Sequence, residues 1–184
     1  MKSETLPDAS GTEGLKNPRH AVVLLVDDQV MIAEGIRRML ADDKEIEFHY
    51  CKDSALAVEA AKKIRPTIIL QDIVMPGADG YALLRHYRAD PSTANTPVIV
   101  LSTKEDPRDK SMAFEKGAND YLVKLPDKIE LVARIRAHSR TYQLQMQRDE
   151  AYRELEKLQG RLEESNRKLE ERNAILQRLS VLDG

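Results

Sequence analysis

Five short apolar segments are spread over the first two thirds of this 184-residue chain. Each is rich in apolar residues and is bounded by polar or turn-forming residues, the pattern expected of buried β-strands. The predicted strands are Val22–Val26, Ile46–Tyr50, Thr67–Gln71, Val98–Leu101 and Asp120–Val123.

Amphipathic segments lie between these strands, with apolar residues at the spacing of one helix face. The predicted helices are Val30–Leu40, Ser54–Ile64, Tyr81–Tyr87, Arg108–Lys116 and a last helix for which Asp127 fits the N-cap. Strands and helices that alternate in this way predict an α/β fold, a doubly wound five-stranded parallel sheet with right-handed crossovers.

The last part of the chain has a different pattern. All eight prolines lie at or before Pro126, and the residues beyond it are mainly good helix formers. One leucine row has the seven-residue repeat of a left-handed coiled coil: Leu155, Leu162, Leu169 and Leu176. The companion row is not cleanly apolar, so these leucines are either a or d positions. We predict a disordered leader over residues 1–20, a globular domain over 21–138 and a coiled-coil stalk over 139–182.

Composition narrows the classes of partner. The net charge of −2 gives no reason to expect nucleic acid or an acidic membrane as a partner. The single cysteine, Cys51, excludes an intrachain disulfide framework and fits a reducing compartment. No apolar run is long enough to span a bilayer, and residues 1–20 lack the apolar centre of a signal peptide. These features predict a cytoplasmic protein without a nucleic-acid or membrane partner.

Polar residues follow four of the five predicted strands. They are Asp27 and Asp28 after the first strand, Asp72 after the third, Ser102 after the fourth and Lys124 after the fifth. Groups at the carboxyl ends of parallel strands meet in one crevice of an open α/β sheet. Crowded carboxylates raise one another's pKa unless a positive charge lies among them. This pattern indicates a hard divalent cation such as Mg²⁺, and it leaves one carboxylate to act as a nucleophile.

Four motifs occur in order at these strand ends: VDD at 26–28, QDIVMPGADG at 71–80, VLST at 100–103 and YLVK at 121–124. Over roughly residues 20–138 the chain resembles the receiver (CheY-like) domains of two-component response regulators. An Asp-Asp pair alone is common in loops, so the resemblance depends on the combination of motifs. It implies the strand order 2-1-3-4-5 and a phosphoryl group donated by a histidine kinase, with the kinase facing the first helix around Ile32 and Ile36.

The resemblance also implies a role for each matching residue. Asp72 is the implied phospho-acceptor, and Mg²⁺ is the implied cofactor. The implied metal ligands are Asp28, Asp72, Asp27 through a water molecule, and the backbone carbonyl of Val74. The implied phosphoryl-binding and switch residues are Ser102, Lys124 and Tyr121.

Two positions depart from the usual family pattern. Leu125 stands between Lys124 and Pro126, where the family commonly has proline directly after the lysine. This departure leaves open where any cis peptide bond of that loop lies. Ser102 replaces the commoner threonine and keeps the hydroxyl donor.

The end of the chain suggests what the receiver controls. Residues Ser180–Gly184 resemble the start of the segment that precedes GGDEF domains, which make cyclic di-GMP from two GTP. With KLP at 124–126 and RDEAYREL at 148–155, the whole resembles WspR-type regulators, in which a chemosensory kinase phosphorylates the receiver of a diguanylate cyclase. No GGDEF sequence occurs here, so the chain itself is expected not to be an enzyme. Phosphorylation is expected to control homo-oligomerisation through receiver and stalk.

Other interpretations of the same residues remain. The chain could be a constitutive dimerisation scaffold whose acidic pocket is vestigial, with its carboxylates as ordinary turn residues. The leucine row could pack back onto the domain instead of onto a partner helix. A phosphatase of the haloacid-dehalogenase type would need a D-x-D arrangement after the first strand, which VDDQ does not match.

Overall fold

A computed structural model describes residues 20–103 and 105–182, so the predicted leader lies outside the described residues except for His20. The strands are β1 (Ala21–Val26), β2 (Ile46–Cys51), β3 (Ile68–Asp72), β4 (Val74–Met75), β5 (Ala78–Asp79), β6 (Val98–Ser102) and β7 (Asp120–Val123). The helices are α1 (Val30–Leu40), α2 (Ala57–Ile64), α3 (Gly80–Ala89), α4 (Pro107–Glu115) and α5 (Lys128–Leu182).

The main sheet has five parallel strands in the order β2-β1-β3-β6-β7. This arrangement confirms the doubly wound α/β fold and the predicted order of the five strands. Every residue of β3 and β6 is buried, as expected of central parallel strands covered by helices on both faces. Asp72 pairs with Leu101 and Ser102 pairs with Val123, so these strand ends lie at the same edge of the sheet.

Two apolar clusters cover the two faces of the sheet. One face packs against α2, α3 and α4, through residues such as Ala61, Leu84 and Ala113. The other face packs against α1 and the first turns of α5, through residues such as Ile36 and Leu131. Successive residues of each strand point to opposite faces, so the valine, isoleucine and leucine runs supply both clusters.

The structure differs from the prediction at three local features. The strand predicted to begin at Thr67 begins at Ile68, and Thr67 instead uses its hydroxyl to bind the carbonyl of Val22 at 3.2 Å. The helix predicted from Ser54 begins with a 3₁₀ turn over Ser54–Leu56. The turn predicted at Met75-Pro76-Gly77 is the tip of a small antiparallel hairpin of β4 and β5, in which Gly77 has φ +73°.

Two predicted helix ends are confirmed by their hydrogen bonds. Gly117 has φ +102°, and the amides of Gly117 and Ala118 donate to the carbonyls of Phe114 and Ala113, which is a Schellman ending for α4. Asp127 Oδ1 accepts from the amide of Ile129 at 2.8 Å, which satisfies one free donor at the start of α5.

The chain divides into two compact units, the first ending at Leu144 and the second beginning at Gln145. Helix α5 contributes to both, so the predicted boundary between residues 138 and 139 lies inside this helix. Within the described part of the chain, none of the helices combines the length and the apolar character needed to cross a membrane.

Candidate functional site

The ends of β1 and β3 bring three carboxylates together. One oxygen atom from each of Asp27, Asp28 and Asp72 lies within 4.8 Å of the other two. Asp27 and Asp72 are fully buried, and Asp28 is partly buried. The strands β1 and β3 are parallel neighbours, so residues that follow their last apolar positions meet at one edge.

Lys124 places its ammonium group between two of these carboxylates. Its Nζ lies 2.8 Å from Oδ2 of Asp72 and 2.9 Å from Oδ2 of Asp27, and its side chain is only 5% exposed. The backbone amide of Lys124 donates to the carbonyl of Ser102 at 2.7 Å, which fixes the end of β7 to the end of β6. The lysine therefore reaches the carboxylates from a backbone that is itself anchored.

Burial and the ion pairs act on these pKa values in opposite directions. At Asp72 burial is the largest effect and raises the pKa above its usual value, against the hydrogen bonds from Lys124 and from the Val74 amide. At Lys124 burial lowers the pKa, but pairing with the carboxylates of Asp72 and Asp27 outweighs it, and the pKa is raised. Both shifts have the same sign because burial dominates at Asp72 and pairing dominates at Lys124.

The backbone holds the remaining oxygen of each buried carboxylate. Oδ1 of Asp72 accepts from the amide of Val74 at 3.0 Å, and Oδ1 of Asp27 accepts from the amide of Gln29 at 2.8 Å. Both are local turns in which an aspartate accepts from the amide two residues later. These carboxylates are therefore oriented on one side by the backbone and on the other by Lys124.

Asp28 is held less completely than its neighbours. Its Oδ1 is buried and has no hydrogen-bond partner among the described residues. Oδ2 of Asp27 makes an ion pair with Lys124 but no well-aligned hydrogen bond. Three carboxylates and one ammonium leave an excess of negative charge, and a buried carboxylate oxygen without a donor is unfavourable. This set of oxygen atoms fits a hard cation such as Mg²⁺.

The other predicted site residues lie on the neighbouring strands. Ser102 is buried at the end of β6, and the side chain of Val74 is exposed on β4. The Tyr121 ring is buried, with 6% of its surface exposed, and Nζ of Lys110 lies 5.7 Å from the ring centroid. Ser102 directly follows Leu101, the residue that pairs with Asp72, so its backbone lies at the same edge of the sheet, and Tyr121 packs into the core rather than standing at the surface.

The loop after β7 has a conformation that the sequence did not predict. Leu125 has φ +54°, an uncommon value for a residue with a β-carbon. Its Cδ2 atom would lie 3.0 Å from a β-carbon added at Gly35, so the leucine packs closely against α1. No cis peptide bond occurs between residues 20 and 182 where the structure describes the backbone.

The predicted leucine row lies on α5 in the second unit. Leu155, Leu162, Leu169 and Leu176 are each more than half exposed. Leu158 and Leu179, which belong to one of the two possible companion rows, are exposed as well. The assignment of these leucines to a coiled coil stays a prediction.

A comparison with protein-family models identifies the family of the globular part of the chain. Residues 23–136 match the model of the response regulator receiver domain. The chain belongs to this family. The recognition of a receiver domain from the strand-end motifs is therefore confirmed, and receiver domains take phosphoryl groups from histidine kinases and bind Mg²⁺ in an acidic pocket.

Individual relatives match the sequence of this chain over about the same region. The chain is 34% identical over 118 residues to the DNA-binding response regulator MtrA of Mycolicibacterium paratuberculosis, which covers 64% of this chain and 51% of MtrA. It is 33% identical over 123 residues to the response regulator PleD of Caulobacter vibrioides, which covers 65% of this chain and 26% of PleD. The chain thus spans about half the length of the first of these relatives and about a quarter of the second.

A solved receiver domain has the same fold. The receiver domain of the sensor histidine kinase PA1611 from Pseudomonas aeruginosa is 28% identical, with a TM-score of 0.59 over 65% of this chain and 98% of that one. That structure has a magnesium ion coordinated in its active-site cleft.

Proposed function

We propose that this chain is a phosphorylation-dependent switch of a two-component or chemosensory pathway, with Asp72 as the phospho-acceptor. The observation that supports this most directly is the 2.8 Å contact of Lys124 with Asp72 inside an enclosed cluster of three carboxylates. Burying a charged group is unfavourable unless its charge is paired or used. Ordinary solvated turn residues would not be expected to converge in this way.

In the proposed reaction, an oxygen of the Asp72 carboxylate attacks the phosphorus of a phosphohistidine on the kinase. A P–O bond forms as the P–N bond breaks, and the electron pair returns to the imidazole nitrogen. Little covalent chemistry is left to the receiver, so its contribution is positioning and charge stabilisation. The Val74 amide and Lys124 orient the two oxygens of Asp72 before the donor arrives.

Mg²⁺ is the proposed cofactor. Asp28 and Asp72 would supply carboxylate ligands, Val74 its backbone carbonyl, and Asp27 a contact through water. The unpaired buried oxygen of Asp28 supports this assignment, because a hard cation gives it a partner. When bound, the ion offsets the negative charge of the cluster and of the transferring phosphoryl oxygens.

Lys124 and Ser102 are proposed to bind the phosphoryl oxygens of the product. The ammonium of Lys124 already contacts the carboxylate that is modified, and a charge-assisted hydrogen bond is stronger than a neutral one. Tyr121 is the proposed switch residue, two positions before Val123, which pairs with Ser102. The expected movement of this ring is inward as Ser102 shifts, so phosphorylation would favour the buried position that the ring already occupies here.

The test of the acceptor uses a small phosphodonor, acetyl phosphate, with Mg²⁺. Intact-mass measurement is expected to show one added phosphoryl group on the wild-type chain and none on Asp72→Asn. Asp42→Asn, an exposed aspartate outside the cluster, is the control and is expected to react like the wild type. Equal labelling of the Asp72→Asn chain would overturn the proposal.

The proposed output of phosphorylation is assembly through the receiver and the stalk. The exposed leucine row supports a partner helix, because an apolar stripe on a solvated helix is usually covered in an assembly. A second copy of this chain offers the same heptad spacing. Phosphorylation would act by shifting a pre-existing equilibrium between oligomeric states.

Light scattering with and without beryllofluoride and Mg²⁺ tests this output. The mimic is expected to raise the average mass of the wild-type chain and not that of Asp72→Asn. Leu162→Asp is expected to lower the mass in both states, whereas Arg167→Asp, which lies outside the a and d positions in either register, is the matched control. If beryllofluoride does not change the average mass while Leu162→Asp still lowers it, the result would favour the constitutive scaffold.

In a longer protein the switch is proposed to control a diguanylate cyclase. The support is the resemblance of Ser180–Gly184 and of two upstream motifs to WspR-type regulators, and a cyclase needs two GTP sites brought face to face by assembly. The downstream coding sequence distinguishes a cyclase output from a DNA-binding output. The relative MtrA is a DNA-binding response regulator. A GGDEF motif there supports the cyclase, and a DNA-binding domain contradicts it.

A further inference from the structure

Two buried polar side chains, those of Gln71 and Tyr87, form a hydrogen-bonded pair next to Asp72, the proposed acceptor. Gln71 and Tyr87 are both fully buried, on β3 and α3. The hydroxyl of Tyr87 donates to Oε1 of Gln71 at 2.9 Å, and Nε2 of Gln71 donates to the backbone carbonyl of Asp72 at 2.7 Å. The other core positions of β3, from Ile68 to Leu70, are apolar.

The directions of these two hydrogen bonds follow from their chemistry. A backbone carbonyl can only accept, so the amide nitrogen of Gln71 must face Asp72 and its oxygen must face Tyr87. Burial raises the pKa of Tyr87 well above its usual value, so the phenol stays protonated and can donate. The chain of donors therefore runs in one direction, from Tyr87 through Gln71 to Asp72.

Gly80 also lies close to the Asp72 carbonyl. A β-carbon added at Gly80 would lie 2.7 Å from this oxygen and 2.4 Å from the Cα atom of Ile73. The backbone of α3 thus approaches the end of β3 so closely that a larger residue would not fit. A buried polar group without a partner costs free energy. The hydrogen bond from the side-chain amide of Gln71 therefore gives the Asp72 carbonyl a donor at this crowded place.

We propose that Gln71, held by Tyr87, is a positioning residue for Asp72. It fixes the peptide plane at which β3 ends and from which the Asp72 side chain leaves toward Lys124 and the Val74 amide. The proposal rests on the proposed function of Asp72 as phospho-acceptor. Phosphoryl transfer is sensitive to such placement, since a displacement of about 1 Å can cost ~10²-fold in rate.

Three variants test this role. Gln71→Met keeps the length of the side chain and removes its hydrogen bonds, and Tyr87→Phe removes only the hydroxyl. Thr93→Val is the matched control, because the buried Thr93 hydroxyl donates to the backbone carbonyl of Tyr87 at 2.8 Å and makes no hydrogen bond to Gln71 or Asp72 among the described residues. All three lose a buried hydrogen bond, so all three are expected to lower the melting temperature.

The rate of phosphorylation by acetyl phosphate separates positioning from stability. Well below the melting transition, Gln71→Met is expected to lower the maximal rate constant about 5- to 10-fold without changing the half-saturating donor concentration, and Tyr87→Phe about 2- to 4-fold. The double variant is expected to be no slower than Gln71→Met, because both act through one contact. Thr93→Val is expected to keep the wild-type rate. A wild-type rate in Gln71→Met, despite a lower melting temperature, would overturn the proposal.

A second readout does not depend on phosphorylation. NMR order parameters of the Ile73 and Val74 amides are expected to fall in Gln71→Met and to stay at wild-type values in Thr93→Val. Unchanged order parameters in Gln71→Met would overturn the positioning role. If the wild-type chain takes up no phosphoryl group while Gln71→Met still shows this loss of order, the proposed function is overturned and the positioning of Asp72 stands.

Discussion

Gly80 lies so close to Asp72 that a methyl group on its Cα atom would stand 2.7 Å from the Asp72 carbonyl oxygen and 2.4 Å from Ile73 Cα. Both atoms belong to backbone, so they cannot move aside as the end of a flexible side chain could. The start of α3 is therefore fitted against the end of β3 without spare room.

Gly80→Ala is expected to lower the free energy of unfolding by about 1–3 kcal/mol, because the extra carbon forces a backbone shift in a packed region. The same shift is expected to weaken binding of beryllofluoride at Asp72. Gly160→Ala is the matched control, since nothing lies within 4 Å of a β-carbon there, and alanine in a helix interior is favoured by roughly 0.5–1 kcal/mol. Urea unfolding followed by circular dichroism measures both, and a neutral Gly80→Ala would contradict the packing argument.

Arg88 ties the end of α3 to two neighbouring loops. Its guanidinium donates to the carbonyls of Ala94, Thr96 and Gly117 and to Oδ1 of Asn119, at distances from 2.7 to 3.0 Å. Lysine has one donor group and cannot satisfy this planar set.

Arg88→Lys is expected to lower the free energy of unfolding by about 1–3 kcal/mol, because several partly buried carbonyls lose a charged donor. Arg85→Lys, an exposed position on the same helix, is expected to change it by less than about 0.5 kcal/mol. Chemical unfolding of both variants decides the point, and equal effects would show that the hydrogen bonds of Arg88 contribute little.

Asp120 makes stability depend on pH. Burial raises the pKa of its carboxyl, but hydrogen bonds from Arg134, His138 and the Tyr121 amide outweigh burial, and the pKa is lowered. A carboxyl whose pKa is lower in the folded state stabilises the fold above its unfolded pKa, near 4, and loses this effect as the pH falls through the folded value.

The difference in free energy of unfolding between the wild type and Asp120→Asn is therefore expected to be largest near pH 7. It is expected to shrink as the pH falls from about 4 through the lower pKa of the folded state, because the carboxyl is protonated in both states only below that pKa. Urea unfolding at pH 7, 5 and 3 gives the comparison. A difference that stays constant over this range would mean that charge plays no part at Asp120.

Replacing tyrosine by phenylalanine is expected to change the free energy of unfolding differently at Tyr50 and at Tyr87. The buried Tyr50 hydroxyl has no hydrogen-bond partner among the described residues, and burial followed by the charges of Asp27 and Asp28 raises its pKa. Tyr50→Phe is expected to leave the free energy of unfolding unchanged or to raise it by about 1 kcal/mol. Tyr87→Phe leaves Oε1 of Gln71 without its donor and is expected to lower it by about 1–3 kcal/mol. Destabilisation by Tyr50→Phe as large as that by Tyr87→Phe would contradict the contrast.

The fold was predictable because its signals are local. Most of the main strands are apolar runs, β2 alternates apolar residues with Glu47 and His49, and Gly117 and Asp127 mark helix ends by their own conformation and hydrogen bonding. The β4–β5 hairpin was missed because strands of two residues carry no periodicity. The positive φ of Leu125 was missed because it depends on packing against α1, which no pattern within the loop encodes.

The meeting of Asp27, Asp28, Asp72 and Lys124 was also predictable, since parallel strands place their carboxyl ends together. Gln71 was not. In the sequence it is the last residue of an apolar run, and its significance depends on Tyr87, sixteen positions later on another element. Only the packing of α3 against β3 shows that the two side chains form one buried unit.

The central place of β3 in the sheet has a consequence for hydrogen exchange. Its amides are flanked by β1 and β6 and covered on both faces, so they are expected to exchange only when the whole domain opens. Val74 and Leu125 have exposed side chains, and their amides are expected to open locally at lower free energy. The proposed acceptor thus stands on a strand that is expected to exchange slowly, and the rearrangement that follows its modification is expected to arise outside β3, in the surrounding loops and at Tyr121 on β7.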